Sequence, residues 1–521
     1  MNRQVAILLV CAALVVADRW CWAKAARWGE DHAVALRLAE SLPWHPARVG
    51  ILNSRYDPNP NGLVWVAWPL TALSSFQVMA FALGVGQVCA VVVLAASMLP
   101  PGARWPALLA LLTSMPLRFS TELWGNWMQV MPVGAALAAF LAYRRAPRPL
   151  WFGVSFASAL VCGALYLPGV VTMLSVIALW IAFLAARRPT RWRPLLVVAA
   201  MLVLVAVAMT FGPYLAVVDL RALHPAEPRG FFRRLVLAAY EAVAGPIGTI
   251  RLAAGVPWMN TMVTPGPDFG AVSTTIALAA VALWMQVGVT TMLYLRAAVR
   301  GREGIWPPGS LAWASAFVVT VCLLTPLVTG QVPSRDGRED LLVQLLPVVL
   351  VLVFGSPLLL DDHTPVARAA VRLTKGIVVV FATASALGGH RLGVELASPA
   401  STVITRPGQP GYVMEQVAAA IADDWADRAA GAVPIEYDTD RGVFALTGKW
   451  VAGHAGWHAR PLKVGEGFDL ALERTTGRRN ACGPRCPDGT AHYVVALPDE
   501  PMPERSREVW RGPGLRVWWV E

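Results

Sequence analysis

Two adjacent carboxylates, Glu30 and Asp31, have the clearest potential for chemistry in this chain. They stand immediately before a helical pattern of apolar residues formed by Val34, Leu38 and Leu42. Negative charges at the start of a helix are favoured by the helix dipole, so capping is one interpretation of the pair. The other is catalytic, because a carboxylate held at a membrane surface can act as a general base on an acceptor.

The amino-acid composition determines where such a site must lie. Hydrophobic residues make up 56% of the 521 residues, charged residues make up 15%, and the mean hydropathy is +0.52. A soluble protein carries about 25% charged residues, and ordinary cores do not hide so much apolar surface. The chain is therefore predicted to be an integral membrane protein. Its net charge of +11 comes from basic residues in short loops between apolar runs, which argues against a nucleic-acid partner.

About eleven apolar runs approach the length of a bilayer crossing. Residues 150–186 form one long run, which we divide at Pro168 because proline breaks a helix. The predicted spans are Val5–Ala17, Phe76–Leu99, Pro106–Leu117, Leu123–Tyr143, Leu150–Tyr166, Pro168–Ala186, Leu195–Val218, Ser273–Leu295, Leu311–Gly330, Leu341–Leu360 and Gly376–Leu387.

The basic residues give this arrangement an orientation. If the N-terminus is cytoplasmic, every predicted inner loop is basic, as the positive-inside rule requires. An odd number of spans then places residues 390–521 outside. Cleavage of the first run as a signal peptide is an alternative that leaves the outer segments unchanged. The inner-loop residues are Arg104; Arg144, Arg145 and Arg148; Arg187, Arg188, Arg191 and Arg193; Arg296, Arg300 and Arg302; and Arg368, Arg372 and Lys375.

Two domains follow from these predictions. Residues 1–389 form a transmembrane domain with long outer loops at 18–61 and 219–272. Residues 390–521 form a small extracytoplasmic α/β domain, with an amphipathic helix over Tyr412–Ala430 followed by short strand-like runs. The predicted fold class is an all-α polytopic membrane protein with a small C-terminal α/β domain.

Two of the seven cysteines, Cys482 and Cys486, lie together in the predicted outer domain. Three residues separate them, whereas a thioredoxin-like motif has two. We therefore expect a structural disulfide in an oxidising compartment. Zinc would need two further ligands, and the sequence predicts no metal site.

Three motifs carry a resemblance to a known family. The first span is followed by Glu30-Asp31-His32-Ala33 at the start of an Ala-rich helix. Residues 50–62, which lead to Trp65, form a Pro-containing loop, and residues 334–347 form an Arg-containing stretch that enters a late span. These features resemble GT-C superfamily membrane glycosyltransferases, especially the protein O-mannosyltransferase and aminoarabinose-transferase-like group. That group often has Asp-Glu where this chain has the reverse order, so either acid could be the base.

The resemblance implies a GT-C-like enzyme whose site lies at the outer face of a bacterial inner membrane. Its donor would be a polyprenyl-phosphate sugar and its acceptor a lipid, glycan or protein; no cofactor is implied with certainty. Asp31 is preferred over Glu30 as the base because a shorter side chain is held more rigidly. The leaving phosphate needs positive charge. The predicted substrate-binding residues are Arg55, Arg335, Arg338, Trp28 and Asn61.

Plainer interpretations remain open for these residues. The tryptophans are typical of the interfacial aromatic belt, and Arg335 and Arg338 have neighbouring acids with which they can pair in solvent. For the whole chain the alternatives are a transporter or flippase, a surface-polysaccharide polymerase or ligase, and a non-catalytic scaffold. A transporter would place its polar residues near the middle of the membrane, whereas the acids noted here lie at the outer face.

Overall fold

The structure is a computed structural model, and it shows a mostly helical multi-pass membrane protein with a small β-sheet. The residues that it describes are 3–28, 30–42, 44, 47–48, 50, 59–73, 75–119, 128–187, 192–218, 230–254, 278–288, 308–335, 339–359, 365–397, 409–426, 428, 431–436, 466–482, 486–487, 489–496, 504–512 and 516–521.

Within the residues that the structure describes, the bundle consists of helices of three kinds. Three 3-10 segments, Trp68–Ala72, Glu339–Leu345 and Ser356–Leu359, and one π turn, Val207–Phe211, interrupt or extend them. The α-helices are α1 (Arg3–Ala25), α2 (Glu30–Glu40), α3 (Gly62–Ala67), α4 (Phe76–Met98), α5 (Pro101–Thr113), α6 (Met115–Phe119), α7 (Val130–Arg145), α8 (Pro149–Leu165), α9 (Gly169–Arg187), α10 (Trp192–Ala206), α11 (Gly212–Leu215), α12 (Phe231–Ala253), α13 (Leu278–Gly288), α14 (Pro308–Thr329), α15 (Leu346–Gly355) and α16 (Pro365–Ala397).

Several of these helices correspond to the predicted spans. An apolar run that crosses a membrane forms a helix because its backbone hydrogen bonds must be satisfied internally. The long run over residues 150–186 is divided at Pro168, since α8 ends at Leu165 and α9 begins at Gly169. Of the described helices, four are long and apolar enough to cross a membrane: Phe76–Met98, Arg193–Leu215, Phe231–Ala253 and Ser310–Thr329.

Helix α12 lies where the sequence analysis placed only an outer loop, residues 219–272. It is 23 residues long and packs on α14 and on the 3-10 segment Glu339–Leu345. Glu241 and Pro246 interrupt its apolar pattern, which is why a search for continuous apolar runs misses it. Its small residues let the helices approach closely: a Cβ at Gly245 would stand 2.7 Å from the sulfur of Cys322 on α14.

One end of the bundle, which we call the basic end, carries arginines of the predicted inner loops. Arg145, the last residue of α7, donates a hydrogen bond to the carbonyl of Ser97. Arg104 on α5 donates from Nε to Leu99 O, 2.7 Å away, and from Nη2 to Ala96 O, 3.0 Å away. These side chains satisfy carbonyls at the end of α4, where the helix has no further amides of its own.

The opposite end of the bundle carries the described residues of 409–521, which we call the α/β segment, and we call that end of the bundle the α/β end. A single apolar core there joins the end of α1, the beginning of α4 and the end of α8 to the α/β segment. The described residues of the segment include two helices, α17 (Gly411–Ala426) and α18 (Glu466–Thr476). The bundle and the α/β segment therefore fold around shared apolar residues.

The β-strands of the α/β segment form a four-stranded sheet in the order β3-β4-β6-β5. Strand β3 is parallel to β4, whereas β6 is antiparallel to both β4 and β5. The sequence did not predict β5, whose charged residues obscure the strand pattern, and the predicted strand at 443–446 lies outside the described residues. Cys482 and Cys486 are joined by a disulfide. The strands are β1 (Arg27–Trp28), β2 (Gln409–Pro410), β3 (Ile435–Glu436), β4 (His492–Ala496), β5 (Ser506–Arg511) and β6 (Arg516–Val520).

Gly62 provides a test of the packing between α3 and α8. A Cβ at this position would stand 2.5 Å from the backbone carbonyl group of Ala164, which cannot move without displacing α8. Gly62→Ala should therefore destabilise the protein by about 1–3 kcal/mol, the usual cost of overpacking. Thermal unfolding in detergent would show this as a lower melting temperature.

Gly376 is the matched control, because it is helical and a Cβ there would meet nothing within 4 Å. Gly376→Ala should be neutral or stabilising by up to about 1 kcal/mol. Equal melting temperatures for Gly62→Ala and the wild type would show that α3 and α8 are not packed as described.

Candidate functional site

Helix α2 begins at the junction between the bundle and the α/β segment. The strand before it, β1, pairs antiparallel with β2, with Arg27 opposite Pro410 and Trp28 opposite Gln409. Glu30 is the first residue of the helix and Asp31 the second. Both acids thus open a helix at the α/β end, as the sequence pattern predicts, although their side chains are outside the described part of the structure.

The apolar face of α2 determines its position. Ala35, Leu36 and Ala39 are fully buried in the core that α2 shares with α3, α17 and α18. Burying a leucine side chain is worth about 1.5–3 kcal/mol. The helical spacing of these residues therefore fixes which face of α2 is turned to the protein.

Two ion pairs join the polar edge of α2 to α18. Arg37 Nη1 donates to the Glu473 carboxylate, and Arg474 Nη1 lies 2.9 Å from Glu40 Oε1. Arg474 Nη2 also donates to the backbone carbonyls of Thr71 and Leu73, which follow α3. Through this one guanidinium, α18 holds both α2 and the connection to α4.

A third contact attaches α17 to the bundle. Glu415 Oε1 accepts a hydrogen bond of 2.9 Å from the backbone amide of Phe76, the first residue of α4. A carboxylate is favoured there because the first amides of a helix lack intrahelical partners. Burial nevertheless raises the pKa of Glu415, and the bond from Phe76 and the nearby charge of Arg474 offset only part of that effect.

Two arginines share one carboxylate where α1 passes α6. Arg19 is almost completely buried and donates to Leu117 O, at 2.9 Å, and to Leu112 O, at 2.6 Å. Asp18 lies 3.1 Å from Arg19 and 3.3 Å from Arg118. Within the described residues, Asp18 is thus the carboxylate that both guanidinium groups share.

Arg118 connects this cluster to a third helix. Its Nη1 donates to Ser385 O on α16 at 2.8 Å, and its guanidinium carbon lies 5.8 Å from the centroid of the Trp22 ring. Among the described residues, the carboxylate that contacts Arg118 is Asp18.

Amide side chains form a second polar group at the same end. Asn61 Nδ2 donates to Ala47 O at 2.6 Å and to Met209 O at 3.1 Å, and Asn59 Oδ1 accepts from the amide of Leu167 at 3.1 Å. Asn61 thus ties the first outer loop to the π turn of the bundle. This contact positions the loop, and a role for Asn61 in binding substrate remains a prediction.

Gln129 lies in the same region and is completely buried. Neither atom of its amide has a hydrogen-bond partner within the part of the chain that the structure describes. A Cβ at residue 169 would overlap the carbonyl oxygen of Cys162 and stand 3.1 Å from Gln129 Nε2, so the packing of α8 already requires glycine there and the amide lies beside it. Buried polar groups are normally paired, which makes Gln129 a candidate contact for a polar ligand.

A third polar group surrounds the predicted cation Arg335. Ser334 Oγ donates to Glu241 Oε1 at 2.9 Å, and Glu241 is fully buried on α12. Arg335 follows and is exposed, and its backbone amide donates a hydrogen bond to Val332 O, 2.9 Å away. Glu241 therefore anchors the turn that presents Arg335 to solvent.

The predicted residues are consequently described to different extents. Asn61 is buried and Arg335 is exposed, whereas only the backbone of Trp28 is described. Arg55 and Arg338 lie outside the described residues. Sequence reasoning missed Arg19, Gln129 and Glu241. A charged or amide residue beside an apolar run is the signal that could have found them, since such groups are costly in a membrane.

Neither a protein-family model nor a curated protein matches this chain. Two solved structures of ArnT from Cupriavidus metallidurans, an aminoarabinose transferase, are similar to it. The structure described as bound to undecaprenyl phosphate has 14% identity and a TM-score of 0.49, with 100% of this chain and 98% of that chain covered. The apo structure has 16% identity and a TM-score of 0.46, with 99% and 98% covered.

The attachment of α2 to the α/β segment should depend on pH through Glu473. Burial raises the pKa of Glu473, but the hydrogen bond and charge of Arg37, together with Arg479, outweigh it, so the pKa lies below its ordinary value of 4.5. Such a carboxyl stabilises the fold above its ordinary pKa, and the stabilisation is lost as the pH falls through the lowered value. Glu473→Gln should therefore lower the melting temperature at pH 7 and have progressively less effect as the pH falls below 4.5.

Glu504→Gln is the control, because Glu504 is an exposed carboxyl of the same α/β segment. It should change the melting temperature little, both at pH 7 and below pH 4.5. If Glu473→Gln lowered the melting temperature equally at pH 7 and below pH 4.5, the role of the Glu473 charge would be contradicted.

Proposed function

We propose that this protein is a membrane glycosyltransferase that moves a sugar from a polyprenyl-phosphate donor to an acceptor at the α/β end of the bundle. The observation that supports this most strongly is the gathering of buried polar groups at that end, beside a helix that opens with two acids. Asp18 with its two arginines, the amides of Asn61 and Gln129, and Glu241 all interrupt an otherwise apolar bundle.

The reaction needs three contributions from the protein. A base must accept the proton of the acceptor hydroxyl while its oxygen bonds to the anomeric carbon of the sugar. The bond between that carbon and the phosphate oxygen breaks, and the polyprenyl phosphate leaves with the electron pair. Positive charge must stabilise this phosphate as it departs. Acid, cation and neutral hydrogen-bonding groups therefore have to share one small region.

The chain supplies a candidate for each contribution. We assign the base to Asp31 or Glu30, in the first turn of α2. We assign phosphate binding to Arg335, which is exposed at the α/β end, with Arg55 and Arg338 as further candidates from the motif resemblance. The lipid-linked donor follows from the same resemblance. Among the described residues nothing pairs with the buried amide of Gln129, which suits the hydroxyl groups of a sugar.

The charge distribution supports an outer location for this site. The basic end carries Arg104, Arg144, Arg145 and Arg148, and the α/β segment lies at the opposite end. With the basic end in the cytoplasm, as the positive-inside rule favours, acceptor and donor sugar meet on the extracytoplasmic side. A polyprenyl-phosphate donor fits this geometry because its chain remains in the bilayer while its sugar is presented at the surface.

Separate replacement of the two acids tests the proposal. Glu30→Gln and Asp31→Asn keep the size of each side chain but remove its ability to take a proton. The variant that lacks the base should lose about 10²- to 10⁴-fold in kcat, the usual contribution of general base catalysis. The measurement is sugar transfer by the purified protein from a polyprenyl-phosphate-sugar extract to acceptors extracted from the same cells.

Glu40→Gln is the matched control, since Glu40 ends the same helix and pairs with Arg474. A partly exposed ion pair contributes only about 0.2–1 kcal/mol, so this variant should stay near wild-type activity. Full activity in both Glu30→Gln and Asp31→Asn would leave the two acids with a capping role and would refute the assignment of the base.

A further inference from the structure

A second group of chemically capable residues lies in the α/β segment, away from α2. Glu436, Cys486 and His492 each direct one ligand atom into a common space, and these atoms all lie within 4.8 Å of one another. Glu436 and His492 are about one-sixth exposed. A carboxylate, a sulfur and an imidazole are the ligand types that zinc uses in proteins.

The sheet holds two of these residues on one face. Glu436 on β3 is opposite Val494 on β4, and His492 lies two residues before Val494. Because side chains alternate along a strand, His492 projects to the same side as Val494 and Glu436. The pairing of β3 with β4 thus brings the carboxylate and the imidazole together without any adjustment of the backbone.

The loop that carries the cysteines is attached to the same strand. The amide of Cys486 donates to Glu436 Oε2 at 2.8 Å. Asn480 Oδ1 accepts from the amides of both Cys482, at 3.0 Å, and Ile435, at 3.2 Å. These bonds hold Cys482 and Cys486 beside β3 independently of the disulfide between them.

The imidazole of His492 is oriented for a ligand. Its Nδ1 lies 2.6 Å from the carbonyl oxygen of Thr490. A carbonyl only accepts, so Nδ1 carries the proton, as it does in many metal-binding histidines. In the neutral ring, Nε2 then presents a lone pair toward Glu436.

The distance between Nε2 and the carboxylate also fits a metal. His492 Nε2 and Glu436 Oε2 are 3.6 Å apart, which is longer than a hydrogen bond. Two ligands bound tetrahedrally to zinc at about 2.0–2.1 Å lie about 3.4 Å from each other. The two groups are therefore spaced to share one cation.

We propose that Cys482, Cys486, Glu436 and His492 form a zinc site that becomes able to bind the metal when the disulfide between the two cysteines is reduced. An external dithiol supplies two electrons and two protons: the bond between the cysteine sulfurs breaks, two thiols form, and the dithiol is oxidised to its disulfide. Zinc then displaces the two thiol protons and takes two thiolates, one imidazole nitrogen and one carboxylate oxygen. This set provides the two additional ligands that the cysteines lack by themselves.

The disulfide and the metal exclude each other on this account. In the oxidised form each sulfur is bonded to the other and has no negative charge to offer, so only Glu436 and His492 remain. Thiolates are the species that bind metals. Tight zinc binding should consequently report the redox state of the α/β segment, whatever reaction the bundle catalyses.

Zinc titration of the full chain in detergent, with a chromophoric chelator as competitor, tests the proposal. The dithiol-reduced protein, after removal of reductant without air, should bind one Zn²⁺ that the oxidised protein does not bind. His492→Gln should weaken this binding at least tenfold. Co²⁺ as a probe should give a thiolate charge-transfer band in the reduced wild type, and this band should be altered in His492→Gln.

Two controls make the result decisive. Cys482→Ser/Cys486→Ser keeps the other five cysteines and should lose the tight site; the oxidised wild type serves as the same control without any mutation. Glu508→Gln removes a carboxylate of the same sheet, which pairs with Arg511, and should bind Zn²⁺ like the wild type. Equal Zn²⁺ binding by reduced and oxidised protein, or unchanged affinity in His492→Gln, would overturn the proposal.

Discussion

The placement of helix α2 is the constraint on which the proposed site depends. Burial of Ala35, Leu36 and Ala39 supplies most of the free energy that holds the helix. The ion pairs with Glu473 and Arg474 contribute less, because partly exposed pairs are worth only about 0.2–1 kcal/mol each. Their role is orientation: they lie on the second half of α2, away from the first turn in which the two acids stand.

The buried charges at the α/β end perform a related task inside the bundle. Arg19 donates hydrogen bonds to carbonyls near the ends of α5 and α6, and Asp18 forms ion pairs with both Arg19 and Arg118. Removing one member of such a buried set leaves an uncompensated charge, which is far more costly than the set itself. These contacts join α1, α5, α6 and α16 at the α/β end of the bundle.

Some of this architecture can be predicted from residues alone, and some cannot. Continuous apolar runs predict helices such as α4 and α14, and Pro168 predicts the break between α8 and α9, because these are local effects. Helix α12 is not predicted because Glu241 and Pro246 interrupt its apolar pattern, and Glu241 is accommodated there by a bond to Ser334, which is 93 residues away. The pairing of Arg19 with carbonyls of α5 and α6 is equally non-local. At the site, the sequence identifies the acids at the start of α2, whereas Gln129 is buried by packing beside Gly169 of α9, and no local pattern predicts that contact.

The most direct test of the account is the fate of the bond between sugar and phosphate in the donor lipid. The purified chain, reconstituted with a polyprenyl-phosphate-sugar extract and acceptors from the source cells, should release free polyprenyl phosphate in an amount equal to the sugar transferred. Mass spectrometry of the lipid fraction measures both. Donor lipids that remain intact, or that cross the bilayer without cleavage, would contradict a glycosyltransferase and favour a flippase.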